Sequence, residues 1–401
     1  MNLLTKRNRK IVKIDIAVIG GGASGIMAAI FAARGGKKVC ILEKNPRIGK
    51  KILATGNGRC NFTNINTKKQ DYNSEFVGPA LMRFSPHAVI SFFEEIGLLS
   101  REEAEGRVYP LSGQATAVLD VLRLELARLS VKEITDFDVE RIEKAGDGFV
   151  IFSKNEKIDA KKVIVATGGM ASPKSGSDGK GYELLKAFGH HTTKLVPSLV
   201  QLKTEKSVGG VRAYGKVTTV SGKSETGEIQ FNNYGISGIP VFCLAKCVKK
   251  GESVSLDLLP DYTEDEVVKI LKNRPKQTME TYLIGILNKT LAHFLLKECG
   301  ISPLSKMSDT LKEDEIKEIA KKIKAWRFDV TGVMPWDNAQ VTAGGIELSE
   351  VDPDTMESKL CKNLYITGEV LDIDGPCGGY NLQWAWASGK LAGSEAAVDK
   401  D

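Results

Sequence analysis

The sequence has few of the residues that build metal centres and disulfide frameworks. Its 401 residues include seven cysteines and four histidines. The cysteines form no CxxC pair, and neither residue type recurs at the spacing of a structural zinc site. We therefore expect no metal ion and no disulfide framework.

Long apolar runs are also missing. The longest helical candidate, residues 282–297, contains an asparagine, a lysine and a histidine, and no run reaches the roughly 18 residues of a membrane-spanning helix. The basic cluster at residues 6–10 precedes an apolar stretch that soon meets Lys13 and Asp15. This pattern favours a strand over a secretory signal. We expect a cytoplasmic protein without a membrane partner.

Neither sign of charge is in large excess. Lysine and arginine number 56 against 50 acidic residues, which gives a net charge of +6. That excess permits a nucleic-acid partner but does not demand one. The length of 401 residues is enough for two or three packed domains.

The most informative motif lies near the N-terminus, where an apolar run leads into a cluster of glycines. Residues 11–19 read as a buried strand, and residues 26–34 have a helical pattern. Between them, Gly20, Gly22 and Gly25 have the GxGxxG spacing at a strand-to-helix turn. The first glycine permits the tight turn, the second lets a pyrophosphate approach the backbone, and the third lets helix and strand pack closely. The helix N-terminus would offer N–H groups to the phosphates.

A second strand, residues 38–43, ends in an acidic residue. Glu43 lies 23 residues after Gly20, close to the distance at which an acid hydrogen-bonds the adenosine ribose. An acid there also disfavours a 2′-phosphate. The combination predicts a site for the ADP part of FAD or NAD, and the motif alone does not choose between the two.

Two further strands are predicted to end in glycine. Residues 161–169 end in Ala-Thr-Gly-Gly, and residues 364–369 end in Gly-Glu. A Gly-Gly-Tyr-Asn step at residues 378–381 then opens a helix predicted at 382–398. If the sheet is parallel, the three strand ends converge at the edge where such sheets bind ligands.

This arrangement resembles the FAD-binding fold of the glutathione-reductase superfamily. The segment from Gly49 to Asn64 is similar to a signature of one bacterial family of NAD(P)/FAD-dependent oxidoreductases, which includes bile-acid enone reductases, ribosomal dihydrouridine synthases and aminoacetone oxidases. Matches to this family run from about residue 15 to residue 393. They include residues 106–110, 227–229, 234–238, 341–345, 352–358 and 372–375.

The resemblance implies an α/β protein in which a Rossmann-like FAD-binding domain of the glutathione-reductase type is interrupted by a β-rich domain with a helical insert. The expected bounds are residues 1–190 and 335–401 for the FAD-binding domain, 191–260 and 326–334 for the β-rich substrate-side domain, and 261–325 for the helical insert. Short alternating runs with a hairpin turn near Gly227 indicate the β-rich part. Capping boxes at Thr263 and Thr310 precede two amphipathic helices of the insert.

The resemblance also implies which residues contact FAD. The step Gly368-Glu369 would meet the ribitol and pyrophosphate, and backbone N–H groups near Asn381 and Leu382 would face the flavin C2 carbonyl. The expected cofactor contacts are Gly20, Gly22, Ala23, Ser24, Gly25, Glu43, Lys44, Lys51, Gly56, Gly58, Arg59, Cys60, Asn61, Val139, Thr167, Gly168, Gly169, Gly368, Glu369, Asp374, Gly379, Tyr380, Asn381 and Leu382.

The expected reaction is reduction of an activated C=C bond, in a steroid-like or bile-acid-like enone or in uridine of rRNA. NAD(P)H would reduce FAD as a transient co-substrate, because no second strand–GxGxxG–helix unit is present, and flavin N5 would deliver hydride. Arg59, Cys60 and Tyr109 lie in family motifs and are the expected catalytic residues, with Arg59 holding an enolate-like oxygen. A core role for Tyr109 and a packing role for Cys60 stay open.

Two other functions also stay open: an O2-dependent amine oxidase of the aminoacetone type and a flavin-bound redox sensor. An rRNA substrate would use basic residues of the 261–325 insert or of the N-terminal arm for phosphate contacts. The sequence departs from the family pattern at Cys377, where we expect threonine, and at Asn232-Asn233, where we expect Thr-His. The oligomeric state is not predicted.

Overall fold

The computed structural model describes residues 13–399, which divide into two compact units. The chain leaves the first unit after Val196 and returns to it at Val341. Residues 11–12 of the first predicted strand and the basic residues 6–10 lie outside the described residues.

The strands, in chain order, are β1 (Lys13–Ile19), β2 (Val39–Leu42), β3 (Thr63–Asn64), β4 (Ser100–Glu103), β5 (Arg107–Pro110), β6 (Lys132–Ile134), β7 (Arg141–Ala145), β8 (Gly148–Phe152), β9 (Lys157–Val165), β10 (Val196–Ser198), β11 (Leu202–Thr204), β12 (Val211–Thr219), β13 (Ser224–Asn232), β14 (Gly235–Ser237), β15 (Ser253–Asp257), β16 (Trp326–Val333), β17 (Val341–Ala343) and β18 (Leu364–Ile366). The α-helices are α1 (Ala23–Arg34), α2 (Gly78–Arg83), α3 (Pro86–Glu95), α4 (Ala115–Arg128), α5 (Lys180–Lys186), α6 (Ile239–Leu244), α7 (Glu264–Lys272), α8 (Met279–Tyr282), α9 (Lys289–Glu298), α10 (Glu313–Lys324) and α11 (Tyr380–Ala397).

The first unit contains a mixed sheet that carries the strands predicted to end in glycine. Its order is β6–β2–β1–β9–β8–β7, and β18 pairs with residues 163–165 of β9. Strands β6, β2, β1, β9 and β18 run parallel. The C-terminal ends of β1, β9 and β18 therefore lie at one edge of the sheet, as their sequences predicted.

Helices α1 and α11 of the same unit pack closely because α11 carries glycines where the two helices meet. A Cβ atom at Gly389 would lie 2.4 Å from the Ser24 carbonyl oxygen, and one at Gly393 would lie 2.2 Å from that of Ala28. Trp384 of α11 donates its Nε1–H to the Gly368 carbonyl at 3.1 Å. This bond fixes the first turn of α11 beside the end of β18.

A small antiparallel sheet, β3–β5–β4, also belongs to the first unit. In its register Arg101 lies opposite Tyr109, and Glu103 lies opposite Arg107. The Trp386 indole donates to the carbonyl of Phe62, directly before β3, at 2.8 Å. Helix α11 thus holds this sheet and the end of β18 with its own side chains.

The second unit contains a closed antiparallel barrel of order β11–β14–β13–β12–β15–β16. Buried aromatic rings of Phe231, Trp326 and Phe328 pack against one another in it. The predicted hairpin turn near Gly227 is wrong. Gly227 pairs with Gly215 inside the β12–β13 ladder, and the turn lies at residues 220–223.

Helices α7 to α10 lie between β15 and β16. The predicted capping box of α7 is confirmed: the Thr263 hydroxyl accepts the Glu266 N–H, and the Thr263 N–H donates to the Glu266 carboxylate at 2.7 Å. The one predicted at Thr310 is wrong, because α10 begins later. There, the Lys312 N–H donates to the Glu315 carboxylate at 2.7 Å.

Within residues 13–399, no helix combines the length and the apolar character needed to cross a membrane. In the same part of the chain, no three histidine, cysteine or acidic side chains are grouped so that they could hold a metal ion.

Candidate functional site

The three glycines of the N-terminal motif have different surroundings. Gly20 has a φ of +100°, and a Cβ atom there would lie 2.5 Å from the Ala166 carbonyl oxygen. A Cβ atom at Gly25 would lie 1.9 Å from the Gly20 carbonyl oxygen. At Gly22, by contrast, a Cβ atom would meet no described atom within 4 Å. Gly20 and Gly25 therefore serve packing, whereas Gly22 leaves open space beside the backbone.

Helix α1 begins next to that open space. Its N-cap is Gly22, so no side-chain oxygen of the cap occupies the first-turn N–H groups of Ala23 and Ser24. Such a helix end binds phosphate through its N–H groups and its dipole. Gly368 joins the same region, since a Cβ atom there would lie 2.3 Å from the Ser24 hydroxyl.

Glu43 stands at the end of β2 and is 8% exposed. One carboxylate oxygen accepts the Gly21 N–H at 2.8 Å, and the other accepts the backbone and side-chain amides of Asn45 at 2.8 and 2.7 Å. A carboxylate can accept about four hydrogen bonds. The acid is therefore fixed in place by the chain and retains capacity for a ribose hydroxyl.

The residues predicted around this acid lie nearby. Lys44 forms an ion pair with Asp178 at 2.6 Å. Val139 is buried in the segment whose Phe137 N–H donates to the Glu43 carbonyl at 3.0 Å. Lys44 and the segment that contains Val139 therefore lie beside the end of β2.

The end of β9 supplies a tight turn. Gly168 has a φ of +71°, and a Cβ atom at Gly169 would lie 2.3 Å from the Thr342 hydroxyl. The Thr167 hydroxyl is buried and has no hydrogen-bond partner within residues 13–399. It packs against Gly181, where an added Cβ atom would lie only 1.8 Å from the hydroxyl oxygen. A cofactor contact of Thr167 would therefore use its backbone.

Glu369 joins three segments of the first unit. One carboxylate oxygen accepts from Lys51 Nζ at 2.8 Å, and the other accepts the Thr342 N–H at 2.8 Å. The ion pair is partly exposed, with 25% of the Lys51 side chain and 21% of the Glu369 side chain accessible. Two predicted contacts that are 318 residues apart in sequence thus meet.

The N-terminus of α11 is built like that of α1. Gly379 is its N-cap with a φ of +103°, and a Cβ atom there would lie 2.5 Å from the Thr63 carbonyl oxygen. The Asn381 side chain accepts from the Gly375 N–H at 2.9 Å and donates to the carbonyls of Gly375 and Pro376 at 2.9 and 3.2 Å. The preceding loop is therefore fastened to the first turn of the helix.

Other predicted residues complete this helix end. Asp374 is buried, and its N–H donates to the Asn73 side chain at 2.9 Å. The Tyr380 carbonyl accepts the Tyr72 hydroxyl at 2.8 Å, and Leu382 is partly exposed in the first turn.

The loop before β3 has an unusual backbone. Gly56, Gly58 and Cys60 have positive φ values of 57°, 83° and 57°. The Asn61 side chain accepts the Val108 N–H at 3.2 Å, which ties the loop to β5. Burial raises the pKa of the Cys60 thiol to about 12, so the thiol stays protonated and is a poor acid or nucleophile. Its surroundings favour the packing interpretation.

Arg59 and Tyr109 are stacked. The Arg59 guanidinium carbon lies 4.1 Å from the centre of the Tyr109 ring. Both terminal nitrogens of Arg59 contact the Glu103 carboxylate, at 3.2 and 2.5 Å, and Arg101 Nε contacts the same carboxylate at 3.1 Å. Tyr109 is half-buried, and burial raises the pKa of its phenol.

These features fit FAD. The N-terminus of α1, with the open space at Gly22, matches the diphosphate. The N-terminus of α11 matches the edge of the flavin ring, and the anchored Glu43 matches the ribose. The stacked pair and the α11 N-terminus are connected through the small sheet, because Asn64 of β3 donates to the Gly378 carbonyl at 3.0 Å.

Comparison with known proteins gives the family. A family model described as the HI0933-like protein Rossmann domain matches residues 14–395. The chain belongs to the HI0933-like family. It is 42% identical over 405 residues to the 3-dehydro-bile acid delta(4,6)-reductase of Clostridium scindens, covering 95% of this chain and 98% of that one. It is 32% identical over 385 residues to the ribosomal RNA dihydrouridine synthase of Haemophilus influenzae, covering 92% and 95%.

Solved structures of low identity agree on the fold. The 3-ketosteroid-delta4-(5alpha)-dehydrogenase from Rhodococcus jostii RHA1 aligns over 99% of both chains with a TM-score of 0.50 and 16% identity. A flavocytochrome c3 fumarate reductase aligns over 96% of this chain and 78% of that one with a TM-score of 0.50 and 16% identity. The predicted family, the FAD-binding Rossmann-type fold with an added β-rich region, and the flavoprotein oxidoreductase class are confirmed.

Some residues of the site were not predicted. Asn45, Asn73 and Thr342 hold predicted residues in place, and Glu103 holds Arg59. The role of Asn45 could have been predicted from its position two residues after Glu43, the acid expected to bind the ribose. Thr342 lies in the matched segment 341–345, but that segment did not indicate its contact with Glu369. Asn73 and Glu103 gave no signal, because each acts on a partner that is remote in sequence.

Proposed function

We propose that the protein uses NAD(P)H to reduce an activated C=C bond in a small steroid-like or bile-acid-like enone. The observation that carries this proposal is the stacked pair of Arg59 and Tyr109. Enone reduction needs a cation for the oxygen that gains charge and a proton for the neighbouring carbon. The relative from Clostridium scindens, which is named for such a reduction, supports the same substrate class.

FAD, when bound, supplies the hydride for this reaction. As the β-carbon accepts hydride, negative charge develops on the substrate's carbonyl oxygen. Arg59 offers that oxygen a fixed positive charge and N–H donors, because a guanidinium has five of them. Tyr109 holds a proton on Oη, since burial keeps the pKa of its phenol high, and gives it to the α-carbon. The half-buried phenolate that remains regains a proton from solvent.

The charges of the helical insert favour a small substrate over RNA. Residues 261–325 contain 12 basic and 11 acidic side chains. Several lysines contact acids of the same unit, at 2.9 Å for Lys272–Glu313 and 3.0 Å for Lys276–Asp309. A surface neutralised in this way attracts phosphates weakly.

Reduction of uridine in rRNA is the second candidate. It is supported by the relative from Haemophilus influenzae, which is named for that reaction and matches nearly the whole chain. The chemistry is similar, because the uracil C5=C6 bond is conjugated to a carbonyl group. Arg59 and Tyr109 would serve both substrates in the same way.

The test begins with anaerobic titration of the flavin-loaded protein with NADPH and then NADH, followed at about 450 nm. We expect bleaching, and we expect reoxidation by a 4-ene or 4,6-diene 3-ketosteroid but not by an rRNA fragment. Tyr109→Phe should still be bleached by nucleotide but should lose about 100-fold or more in enone turnover, because general-acid catalysis is worth about that factor.

Reoxidation by the rRNA fragment alone would replace the enone with the second candidate. Failure of both nucleotides to bleach the flavin, together with rapid bleaching by small amines, would overturn the reductase and indicate an O2-dependent amine oxidase. Tyr109→Phe turning over as fast as the wild type would remove Tyr109 from the mechanism.

A further inference from the structure

We propose that Glu103 is a positioning residue of the reductase, which holds the Arg59 guanidinium above the Tyr109 ring and balances the charge of that guanidinium. This inference rests on the proposed function. The Glu103 carboxylate accepts hydrogen bonds from Arg59 and Arg101, so it acts on Tyr109 through Arg59.

The geometry assigns this role through two contacts. Both carboxylate oxygens of Glu103 are bound to Arg59, at 3.2 and 2.5 Å. Such a two-point contact fixes the plane of the guanidinium. The Arg59 side chain is 38% exposed, so without the carboxylate it would have many rotamers in solvent.

The register of the small sheet explains why Glu103 occupies this place. Arg101 and Glu103 are two apart on β4 and share a face, and Tyr109 lies opposite Arg101. Glu102 lies between them on the other face of β4 and is exposed. It is a matched control, since its substitution removes the same charge from the same strand.

Charge balance gives the proposal a measurable consequence. Arg59 lowers the pKa of the Tyr109 phenol, and Glu103 raises it. If the Glu103 carboxylate is removed, the Arg59 guanidinium still lies 4.1 Å from the centre of the Tyr109 ring but has lost the anion that neutralises it. The charged or titratable groups near Tyr109 are Arg59, Arg101, Glu103, Arg107 and Cys377.

The first experiment titrates tyrosinate absorbance near 295 nm in the flavin-loaded protein, using Tyr109→Phe in each background to isolate the Tyr109 signal. We expect Glu103→Gln to lower the pKa of Tyr109 by about 0.5 to 1 unit, as an uncompensated neighbouring cation does. The alkaline limb of the kcat/KM profile for the enone should move by the same amount. Glu102→Gln should match the wild type in both.

Glu103→Ala tests the positioning effect, because alanine removes the hydrogen bonds as well as the charge. We expect kcat to fall about tenfold with a smaller change in KM. A Tyr109 titration in Glu103→Gln that coincides with the wild type would overturn the inference, as would equal effects of Glu102→Gln and Glu103→Gln. If the wild type does not reduce enones, the proposed function fails, whereas the tyrosinate titration still decides whether Glu103 controls Tyr109.

Discussion

Gly22→Ala should separate cofactor binding from folding. Gly22 has a φ of −82° and a ψ of −170°, which alanine adopts without strain, and its added methyl group would meet no described atom within 4 Å. Alanine is a slightly poorer N-cap than glycine, which lowers the stability of helix α1 a little. Alanine also makes the unfolded chain less flexible, which raises the stability by about the same amount. The free energy of unfolding should therefore change by less than about 0.5 kcal/mol.

The same methyl group should interfere with FAD. It would stand in the space through which a diphosphate reaches the first-turn N–H groups of α1. We expect FAD affinity to fall about 10- to 100-fold, which corresponds to about 1.4 to 2.8 kcal/mol. Quenching of flavin fluorescence measures the affinity, and urea unfolding of the flavin-free protein measures the stability.

Gly25→Ala is the matched control for Gly22→Ala. Its Cβ atom would lie 1.9 Å from the Gly20 carbonyl oxygen, so strand and helix must move apart. A loss of about 3 kcal/mol or more in stability is expected, because overpacking against backbone cannot relax by a side-chain rotation. If Gly22→Ala binds FAD with wild-type affinity, the diphosphate does not lie where the glycine motif places it.

Two other predictions concern stability. Acid should destabilise the protein through His190, because burial lowers the pKa of that imidazole from the ordinary 6.5 although the Glu350 carboxylate lies 3.0 Å from Nδ1. Because the folded-state pKa is the lower one, His190 contributes its full stability above pH 6.5, and this stability is lost as the pH falls toward the folded-state pKa. Over this pH window the melting temperature should therefore fall less in His190→Gln than in the wild type. The control is His191→Gln, which changes an exposed ring and should behave like the wild type. Asn381→Ala should lower the free energy of unfolding by about 2 kcal/mol, since it removes three hydrogen bonds to residues 375 and 376, and urea unfolding that matches the wild type would contradict this.

Much of the cofactor half of the fold could be predicted from the sequence because its signals are local. An apolar run, a glycine turn and a helical pattern follow one another directly at Gly20, so a single segment specifies strand, turn and helix. The expected strand ending in Glu43 and the final helix follow from the same kind of contiguous pattern. The parallel pairing of β1, β9 and β18 was expected from the family resemblance, and it brings their glycine ends to one edge of the sheet.

Other features depend on pairing between segments, which local patterns do not contain. Gly222 and Gly227 both favour a turn, and only the β12–β13 register places the turn at the first of them. Thr310 and Lys312 both precede glutamates at capping distance, and the packing of α10 decides between them. Glu103 reads as one acid in an ordinary charged strand until the fold brings Arg59, 44 residues earlier in the chain, into contact with it.

The acids and amides of the site are held by the chain itself, which bears on how tightly a cofactor binds. Glu43 is fixed by Gly21 and Asn45, and Asn381 is fixed to the loop before it. Groups that are already ordered lose little conformational entropy when a ligand arrives, so more of the interaction energy appears as affinity. The stacked pair differs, because Arg59 is 38% exposed and is held by one carboxylate. Changes at Glu43 should therefore act mainly on FAD affinity, whereas changes at Glu103 should act mainly on turnover.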